Sequence, residues 1–303
     1  MPGMVELNDG QSRLVLAPEQ GAAVARYDAL VVGGAPVPLL KPGDGTGTSG
    51  CQLLVPWSNR ISGGGFEFDG RFHAVLPNVP GEAFPIHGDG FQKPWRLARR
   101  TDTEAELVLD DGAIGPYRYA ASVTYALRAG ALHARLTVEN RSGMRLPYGL
   151  GFHPWFPRGD RTRLQATAER VWLEDARHLP TGLAPLAERP WWDFSRASLL
   201  PAGWVNNAFV GWNRRATIVQ PAQGIAVELT ASPELDVFIL YSPSHDAGFF
   251  CFEPVSHPVD AHHSAGLTPL DDGGTLTAAL RLDWIARGAR ATNTRSAGSR
   301  LAD

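Results

Sequence analysis

The sequence predicts an all-β protein built from stacked antiparallel sheets, and three observations support this prediction. Its 33 glycines and 24 prolines are scattered along the chain, so few stretches can hold an uninterrupted helix of ordinary length. Two segments alternate apolar and polar side chains with the period of two that is typical of strands. Further short segments are rich in strand-forming residues and end at turn residues. So many strands in one chain favour sheets stacked face to face.

The two alternating segments are expected to be strands with one buried and one solvated face. The first runs from Ala131 to Asn140, and its apolar face carries Leu132, Ala134, Leu136 and Val138. The second lies near the end of the chain, and its apolar face carries Leu276, Ala278, Leu280, Leu282 and Trp284. The other predicted strands are Arg13 to Leu16, Glu106 to Leu109, Ala121 to Leu127, Ala216 to Gln220, Ile225 to Thr230, Asp236 to Tyr241 and Gly248 to Phe252.

The chain is predicted to form one domain over residues 1–286. Its 303 residues, 44% of them hydrophobic, can bury a large core, and neither an internal repeat nor a composition shift divides them. Residues 287–303 contain almost no large apolar side chain, so we expect a disordered C-terminal tail there. The segment from Trp172 to Asn207 lacks clear periodicity and is expected to be a long excursion that covers part of a functional site.

Charge and hydropathy exclude several classes of partner. A net charge of −3, with no run of like charges, offers no positive field to gather nucleic acid. Glu6 and Asp9 stand where a secretory signal would need a cationic end followed by an apolar stretch, and no apolar run is long enough to span a membrane. We therefore expect a soluble, cytoplasmic protein. Cys51 and Cys251 lack the spacing of a metal or redox pair and are expected to be small buried apolar side chains.

Common nucleotide and hydrolase motifs give no support to those functions. Gly45, Gly47 and Gly50 match a GxGxxG pattern, but a strand rather than a helix is predicted at Cys51 to Pro56, so we expect a flexible loop. The phosphate-binding Gly-Lys-Ser/Thr motif, GxSxG and HExxH do not occur.

A cluster of ionisable residues late in the chain contains Glu253, His257, Asp260, His262 and His263. These residue types could bind a metal, but Pro254 and Pro258 exclude a regular helical spacing of the histidines. We therefore expect no metal site here. For His257, Asp260, His262 and His263, the expected environment is a solvated loop.

Four short segments place polar groups among aromatic, glycine and proline residues. They are Asn59-Arg60-Ile61, Pro85-Ile86-His87-Gly88, Gly151-Phe152-His153-Pro154-Trp155-Phe156 and Phe252-Glu253-Pro254. Each segment by itself is also typical of a hydrogen-bonded core residue or a surface charge. Their combination and order are more informative than any one of them.

Together the four segments resemble the aldose 1-epimerase (galactose mutarotase) family, from about Leu53 to Asp260. The resemblance implies a large antiparallel β-sandwich with a sugar site in a cleft on one sheet. It implies that His153 is the catalytic acid and Glu253 the catalytic base. Arg60 would bind sugar hydroxyls, and His87 would provide a second contact.

Three other residues are expected to contact the substrate. Asn59 lies beside Arg60 in the same motif, and Trp155 follows His153, where it could stack on a sugar ring. For Trp155, as for Trp57, packing in the core is the alternative. Asn206 is the third, and a turn residue is its alternative.

Two departures from the family pattern concern specificity. Many members have an aspartate where this chain has Asn206, so the charge is lost while hydrogen-bonding capacity is kept. Galactose-type members often have a glutamine two residues before a strand tyrosine, and here that position is Ile239, before Tyr241. A preference for galactose is therefore not implied.

The implied reaction needs one acid and one base. Opening the cyclic hemiacetal removes a proton from the C1 hydroxyl and delivers one to the ring oxygen, which suits a carboxylate and a protonated imidazole. No cofactor or metal is needed, and the expected partner is a small-molecule sugar bound by a monomer or homodimer. Two alternatives stay open at this point: a hexose-phosphate 1-epimerase and a non-catalytic sugar-binding β-sandwich.

Overall fold

The computed structural model describes residues 3–43 and 50–286, and the predicted tail at 287–303 lies outside them. The described residues form 24 strands and five short 3₁₀ helices, and no α-helix is found among them. No helix in these two ranges is both long enough and apolar enough to cross a membrane. All strand pairings within the two large sheets are antiparallel, so the all-β prediction is confirmed.

The strands, in chain order, are β1 (Val5–Asn8), β2 (Ser12–Ala17), β3 (Ala23–Ala29), β4 (Val37–Pro38), β5 (Cys51–Leu54), β6 (Gly65–Phe68), β7 (Arg71–Ala74), β8 (Arg96–Arg100), β9 (Glu104–Ile114), β10 (Tyr117–Arg128), β11 (Ala131–Asn140), β12 (Leu146–Tyr148), β13 (Gly151–Pro157), β14 (Arg163–Ala166), β15 (Arg170–Glu174), β16 (Pro180–Pro185), β17 (Ser198–Leu199), β18 (Val205–Val210), β19 (Arg215–Gln220), β20 (Ile225–Ala231), β21 (Val237–Ser242), β22 (Phe249–Val255), β23 (Thr268–Leu270) and β24 (Thr275–Ala286). The 3₁₀ helices are Gly90–Gln92, Leu186–Glu188, Pro190–Trp192, Pro221–Gln223 and Ala261–His263.

Two large sheets form the sandwich. The front sheet has eleven strands in the order β1-β2-β3-β5-β13-β22-β21-β18-β15-β16, with β4 paired to β3. The back sheet has nine strands in the order β17-β14-β19-β20-β24-β11-β10-β9-β8. Two small ribbons, β6-β7 and β12-β23, complete the described structure.

The main hydrophobic core lies between the inner faces of the two sheets. The apolar faces predicted for β11 and β24 point into it, and most of these side chains are buried. Tyr27 of the front sheet joins the two layers: its hydroxyl donates to the carbonyl of Gly130 at 2.7 Å and accepts from the N–H of Leu132 at 3.1 Å. Because both bonds satisfy a buried hydroxyl, this cross-layer contact costs little desolvation.

A ladder of aromatic rings marks the inner face of the central front-sheet strands. Phe209, Phe238 and Phe252 lie on β18, β21 and β22, and successive ring centroids are 4.7 and 4.5 Å apart. Side chains alternate between the two faces of a strand, so the neighbouring residues in sequence point away from the core. Glu253, which follows Phe252, is therefore directed to the outer face of the front sheet.

The outer face of these strands is itself covered. A second, smaller apolar cluster lies there, formed by Leu54, Ala208, Val237, Ile239, Val255 and Val259. Strands β13, β21 and β22 are consequently buried on both faces for most of their length. The polar side chains of His153 and Glu253 on that outer face are buried as well.

Candidate active site

A cleft of about 550 Å³ opens on the outer face of the front sheet. Six of the seven sequence-predicted site residues line it, namely Asn59, Arg60, His87, His153, Asn206 and Glu253. The structure therefore brings together groups that are almost 200 positions apart in the chain. Further lining comes from the loop at residues 81–86 and from the turn at 176–178.

His153 and Glu253 face each other across neighbouring strands. The register of β13 with β22 pairs Gly151 with Val255 and Trp155 with Cys251, which places His153 directly opposite Glu253. His153 Nε2 lies 3.4 Å from Glu253 Oε1, and both side chains are buried. The antiparallel register alone thus creates the contact between the predicted acid and the predicted base.

Burial shifts both groups toward their uncharged forms. Desolvation lowers the pKa of His153 to about 4 and raises the pKa of Glu253 to about 8, an increase that the nearby Arg60 charge opposes. Near neutral pH the pair therefore holds one proton in total and carries no net charge. His153 Nδ1 and Glu253 Oε2 are buried without a hydrogen-bond partner. A buried polar atom without a partner is costly, which makes these atoms candidates for contact with a ligand.

The two loops that carry Arg60 and His87 are tied to each other by backbone and ring contacts. The N–H of Asn59 donates to His87 Nδ1 at 3.0 Å, and the N–H of His87 donates to the Asn59 carbonyl at 3.0 Å. Because Nδ1 accepts, a neutral His87 carries its proton on Nε2. Burial, together with the charges of His153 and Arg60, lowers the pKa of His87 well below its ordinary value. His87 is thus held as a neutral hydrogen-bond donor.

Tight backbone geometry fixes this corner of the cleft. Asn59 and His87 both adopt left-handed backbone angles, with φ of 57° and 63°. Gly88 follows with φ of +65°, and a Cβ at that position would lie 2.1 Å from the carbonyl oxygen of Val55. Only glycine fits this close approach, which explains the His-Gly sequence.

Arg60 is held by two acceptors at the cleft wall. Its Nη2 lies 3.1 Å from Glu82 Oε2 and its Nη1 lies 3.4 Å from Asn59 Oδ1. Its side chain is 11% exposed. A guanidinium has five N–H donors, so these contacts leave further donors for a ligand.

The two tryptophans considered as sugar contacts take different positions. Trp57 is buried in the main core, and its Nε1 donates to the carbonyl of Asn59 at 3.0 Å. Trp155 stacks on the His153 ring, with centroids 5.3 Å apart and planes 14° apart, and also packs against Phe249. Trp155 is not among the residues that line the cleft. The expectation that it contacts the sugar is therefore replaced by a packing contact with the His153 ring.

The opposite wall contains residues that the sequence did not single out. Asn206 lies on β18, and its Nδ2 donates to Glu174 Oε2 at 3.0 Å. The same carboxylate accepts from Trp204 Nε1 at 2.8 Å and lies 3.1 Å from His178 Nδ1. Tyr241 completes this wall beside Trp204.

Glu174, His178 and Trp204 were missed because their segment shows no periodicity. The segment from Trp172 to Asn207 was expected to be an excursion, yet it contains part of β15, all of β16 and β17, and the start of β18. Short strands interrupted by proline and glycine give no detectable alternation. The part of the expectation that concerned covering a site agrees with the position of residues 176–178 in the cleft wall.

The expectation of a solvated loop is wrong for His257 and Asp260, which are buried. His257 Nε2 accepts from the N–H of Ser58 at 3.0 Å, and its Nδ1 lies 2.8 Å from the Pro258 carbonyl. Asp260 accepts from both the N–H and the hydroxyl of Ser62 at 2.8 Å. Hydrogen bonding offsets the cost of burying them, so these side chains anchor the Arg60 loop.

The remaining two histidines of that cluster are less buried. His262 is half-buried and its Nε2 lies 2.9 Å from the Tyr117 hydroxyl, while His263 is exposed. Neither is among the residues that line the cleft.

The two cysteines are free and buried, as expected. Cys251 belongs to the same outer face as Glu253, and ligand atoms of His153, Cys251 and Glu253 lie within 4.8 Å of one another. Burial raises the pKa of the Cys251 thiol well above its ordinary value. A metal at this position would have to displace protons from Cys251 and Glu253, whose pKa values burial raises, which weighs against metal binding.

The chain is similar to proteins of one known family. The family model for aldose 1-epimerase matches residues 3–283. The uncharacterised protein YphB of Escherichia coli K12 is 36% identical over 262 residues, which are 82% of this chain and 90% of YphB.

Solved structures show the same fold. A crystal structure of an Escherichia coli K12 protein, provisionally named an aldose 1-epimerase, has a TM-score of 0.87 and 33% identity, and the match covers 93% of this chain and 99% of that one. A GalM/aldose epimerase homologue from C. elegans has a TM-score of 0.80 at 17% identity, over 94% of this chain and 99% of that one. By its family match and its 36% identical relative, the chain belongs to the aldose 1-epimerase family.

Proposed function

We propose that this protein is an aldose 1-epimerase that interconverts the α and β anomers of a free aldose, with His153 and Glu253 as the proton-transfer pair. The observation that carries the proposal is the 3.4 Å contact between His153 Nε2 and Glu253 Oε1 at the base of the cleft. The two oxygens that exchange protons in the reaction are bonded to the same sugar carbon. Two adjacent side chains can therefore serve both oxygens at once.

The proton count of the pair suits the reaction. Ring opening takes one proton from the C1 hydroxyl and gives one to the ring oxygen, so the pair must begin with one proton and end with one. With Glu253 as base and His153 as acid, the uncharged state favoured by burial is the state after ring opening. A hydrogen bond from the C1 hydroxyl to Glu253 Oε2, together with the charge of Arg60, favours the ionised form of Glu253. That form, with His153 protonated, is the state of the pair before ring opening.

Four further side chains are proposed to orient the sugar. Arg60 and His87 present N–H donors, Asn59 lines the cleft beside them, and Asn206 lines the opposite wall. Fixed donors and acceptors turn binding energy into alignment of the two reacting oxygens with His153 and Glu253. Each of the two proton transfers, when positioned in this way, is expected to contribute about 10²- to 10⁴-fold to the rate.

A free aldose is favoured over a sugar phosphate by the charges around the cleft. Among the lining residues that the structure describes, the arginines are Arg60 and Arg177. Arg60 is paired with Glu82 and Arg177 with Asp175, at 3.1 and 2.9 Å. A phosphate clamp needs cations that are not already neutralised by carboxylates.

The cytoplasmic location and the monomeric or homodimeric state stay predictions from the sequence.

Polarimetry tests the proposal directly. The optical rotation of freshly dissolved α-D-glucose and α-D-galactose is followed with and without protein, in a buffer that catalyses the exchange weakly. We expect protein-dependent acceleration for at least one free sugar. Acceleration confined to a hexose 6-phosphate would favour the sugar-phosphate alternative, and sugar-dependent thermal stabilisation without acceleration would favour the non-catalytic one.

The pH profile of the catalysed rate should be a broad plateau. Below about pH 4 both members of the pair are protonated, so no base is left. Above about pH 8 both are deprotonated, so no acid is left. The value of kcat/KM, which reports the groups of the free enzyme, is corrected for the spontaneous reaction at each pH and measured from pH 3.5 to 9. A fall in kcat/KM already below pH 6.5 would contradict a lowered pKa for His153.

A further inference from the structure

We propose that Glu174 is the positioning residue that sets the hydrogen-bonding polarity of the cleft wall around Asn206 and thereby the sugar hydroxyl pattern that the cleft accepts. The inference rests on the proposed function, because it concerns the same cleft. Glu174 itself does not line the cleft, whereas three residues bound to its carboxylate do: His178, Trp204 and Asn206.

The carboxylate of Glu174 collects three N–H donors. Oε1 accepts from Trp204 Nε1 at 2.8 Å, and Oε2 accepts from Asn206 Nδ2 at 3.0 Å and from His178 Nδ1 at 3.1 Å. The Glu174 side chain is 17% exposed. Hydrogen bonds to a charged acceptor are stronger than neutral ones, and a single planar group holds all three donors in one arrangement.

The sheet places Glu174 beside Asn206. The pairing of β15 with β18 joins Arg170 to Val210 and Val171 to Phe209, and the same register continued brings Glu174 opposite Asn206. A register irregularity against β16 falls between Leu173 and Glu174, at the end of the strand. The chain then turns back, with the N–H of His178 bonded to the Asp175 carbonyl at 3.0 Å. Bulges next to sites commonly direct side chains in this way.

The contact with Glu174 decides which end of the Asn206 amide faces the substrate. An ionised carboxylate only accepts hydrogen bonds, so it selects the NH₂ group of Asn206. The Oδ1 atom is left for the cleft, where it can accept from a sugar hydroxyl. Asn206 therefore presents a hydrogen-bond acceptor to the cleft, as an aspartate would. The negative charge is on Glu174, which does not line the cleft.

This arrangement makes Asn206 and Glu174 interdependent. An aspartate at position 206 would place two carboxylates at the 3.0 Å distance now occupied by a hydrogen bond, and like charges so close repel strongly. A glutamine at position 174 would offer its own NH₂ group to Asn206 and remove the reason for the present amide orientation. The two changes together restore one amide and one carboxylate in contact, with their places exchanged.

The test is a double-mutant cycle of Glu174→Gln, Asn206→Asp and the two combined. KM and kcat are measured by polarimetry with whichever of D-glucose, D-galactose, D-xylose and L-arabinose gives the highest kcat/KM for the wild type. We expect each single change to raise KM about tenfold with a much smaller effect on kcat, as loss of a hydrogen bond that holds the ground state and the transition state equally does. The double variant should return KM to within about threefold of the wild type.

The control is Glu169→Gln, an exposed carboxylate shortly before Glu174 in the sequence that does not line the cleft. It should leave KM unchanged. Thermal unfolding of every variant separates loss of folding from loss of positioning. A double variant whose KM increase equals the product of the single increases would overturn the role of Glu174 while leaving the epimerase proposal intact.

Failure of the epimerase proposal has a different signature. If the wild type accelerates no anomer exchange, the same cycle is measured as the dissociation constant of the sugar that stabilises the protein most in thermal unfolding. The same rescue would then support the positioning role without catalysis. A wild type that neither accelerates nor binds any of the four sugars would overturn both inferences.

Discussion

Replacing Glu253 by glutamine should lower turnover by about 10²- to 10⁴-fold and at the same time stabilise the folded protein at neutral and alkaline pH. Turnover falls because the amide nearly keeps the shape of the side chain but cannot take a proton from the C1 hydroxyl. Stability rises because the wild type must keep a carboxyl group uncharged in a site that is 2% exposed. The two effects have opposite signs and one cause.

The direction of the stability effect follows from the pKa of Glu253. Its value in the folded protein is raised to about 8 from an ordinary 4.5. Between these values the unfolded chain has released the proton and the folded chain retains it, so wild-type stability is lost as the pH rises through that window. The loss is on the order of 1 kcal/mol per pH unit at most. Glutamine does not ionise, so the variant escapes it.

The measurement is the midpoint of thermal unfolding at pH 5 and at pH 8 for the wild type and Glu253→Gln. We expect the midpoint of the variant relative to the wild type to be higher at pH 8 than at pH 5. Glu169→Gln, on the exposed surface, should show no such difference. Unchanged turnover in Glu253→Gln would exclude Glu253 as the base.

Replacing His153 by glutamine should lower turnover by a similar factor of about 10²- to 10⁴-fold, because the proton donor to the ring oxygen is removed. The two side chains are expected to act on one substrate as a unit, since they lie 3.4 Å apart and hold one proton in total near neutral pH. The double variant His153→Gln with Glu253→Gln should therefore be no slower than the slower single variant. Independent factors that multiply in the double variant would contradict a shared-proton pair.

The stability effect of His153→Gln should have the opposite pH dependence. The pKa of His153 is lowered to about 4 from 6.5. Between these pH values His153 is mostly protonated in the unfolded chain and mostly neutral in the folded protein. Wild-type stability is therefore lost as the pH falls from about 6.5 toward 4. The midpoint of thermal unfolding is measured for both proteins at pH 4.5 and pH 7. The midpoint of the variant relative to the wild type should be higher at pH 4.5 than at pH 7.

Much of the fold was predictable because it depends on local patterns. The alternation in Ala131–Asn140 and in Thr275–Ala286 reports which side chains face the core, whatever the rest of the chain does. The prediction failed where local pattern is weak. Between Trp172 and Asn207 the strands are short and interrupted. They form because they pair with sheets that other segments of the chain have built, and not because of their own sequence pattern.

The buried polar residues show a second limit. His257 and Asp260 lie on either side of Pro258 in a polar stretch. A solvated loop commonly has the same local composition. Their partners, Ser58 and Ser62, are about 200 residues earlier in the chain. Nothing local distinguishes a polar side chain with a distant hydrogen-bond partner from one bonded to water.

The sequence by itself determined the all-β architecture and the alternating core faces, because side-chain type and period are properties of neighbouring residues. His153 and Glu253 entered as the expected acid and base through the resemblance to the aldose 1-epimerase family. The tertiary structure alone decided that His153 lies opposite Glu253, that Trp155 supports the histidine ring and that Glu174 holds Asn206. Those contacts depend on which strands are adjacent and in which register. Register is set by the packing of whole sheets, since a shift of one residue would turn every one of these side chains to the opposite face.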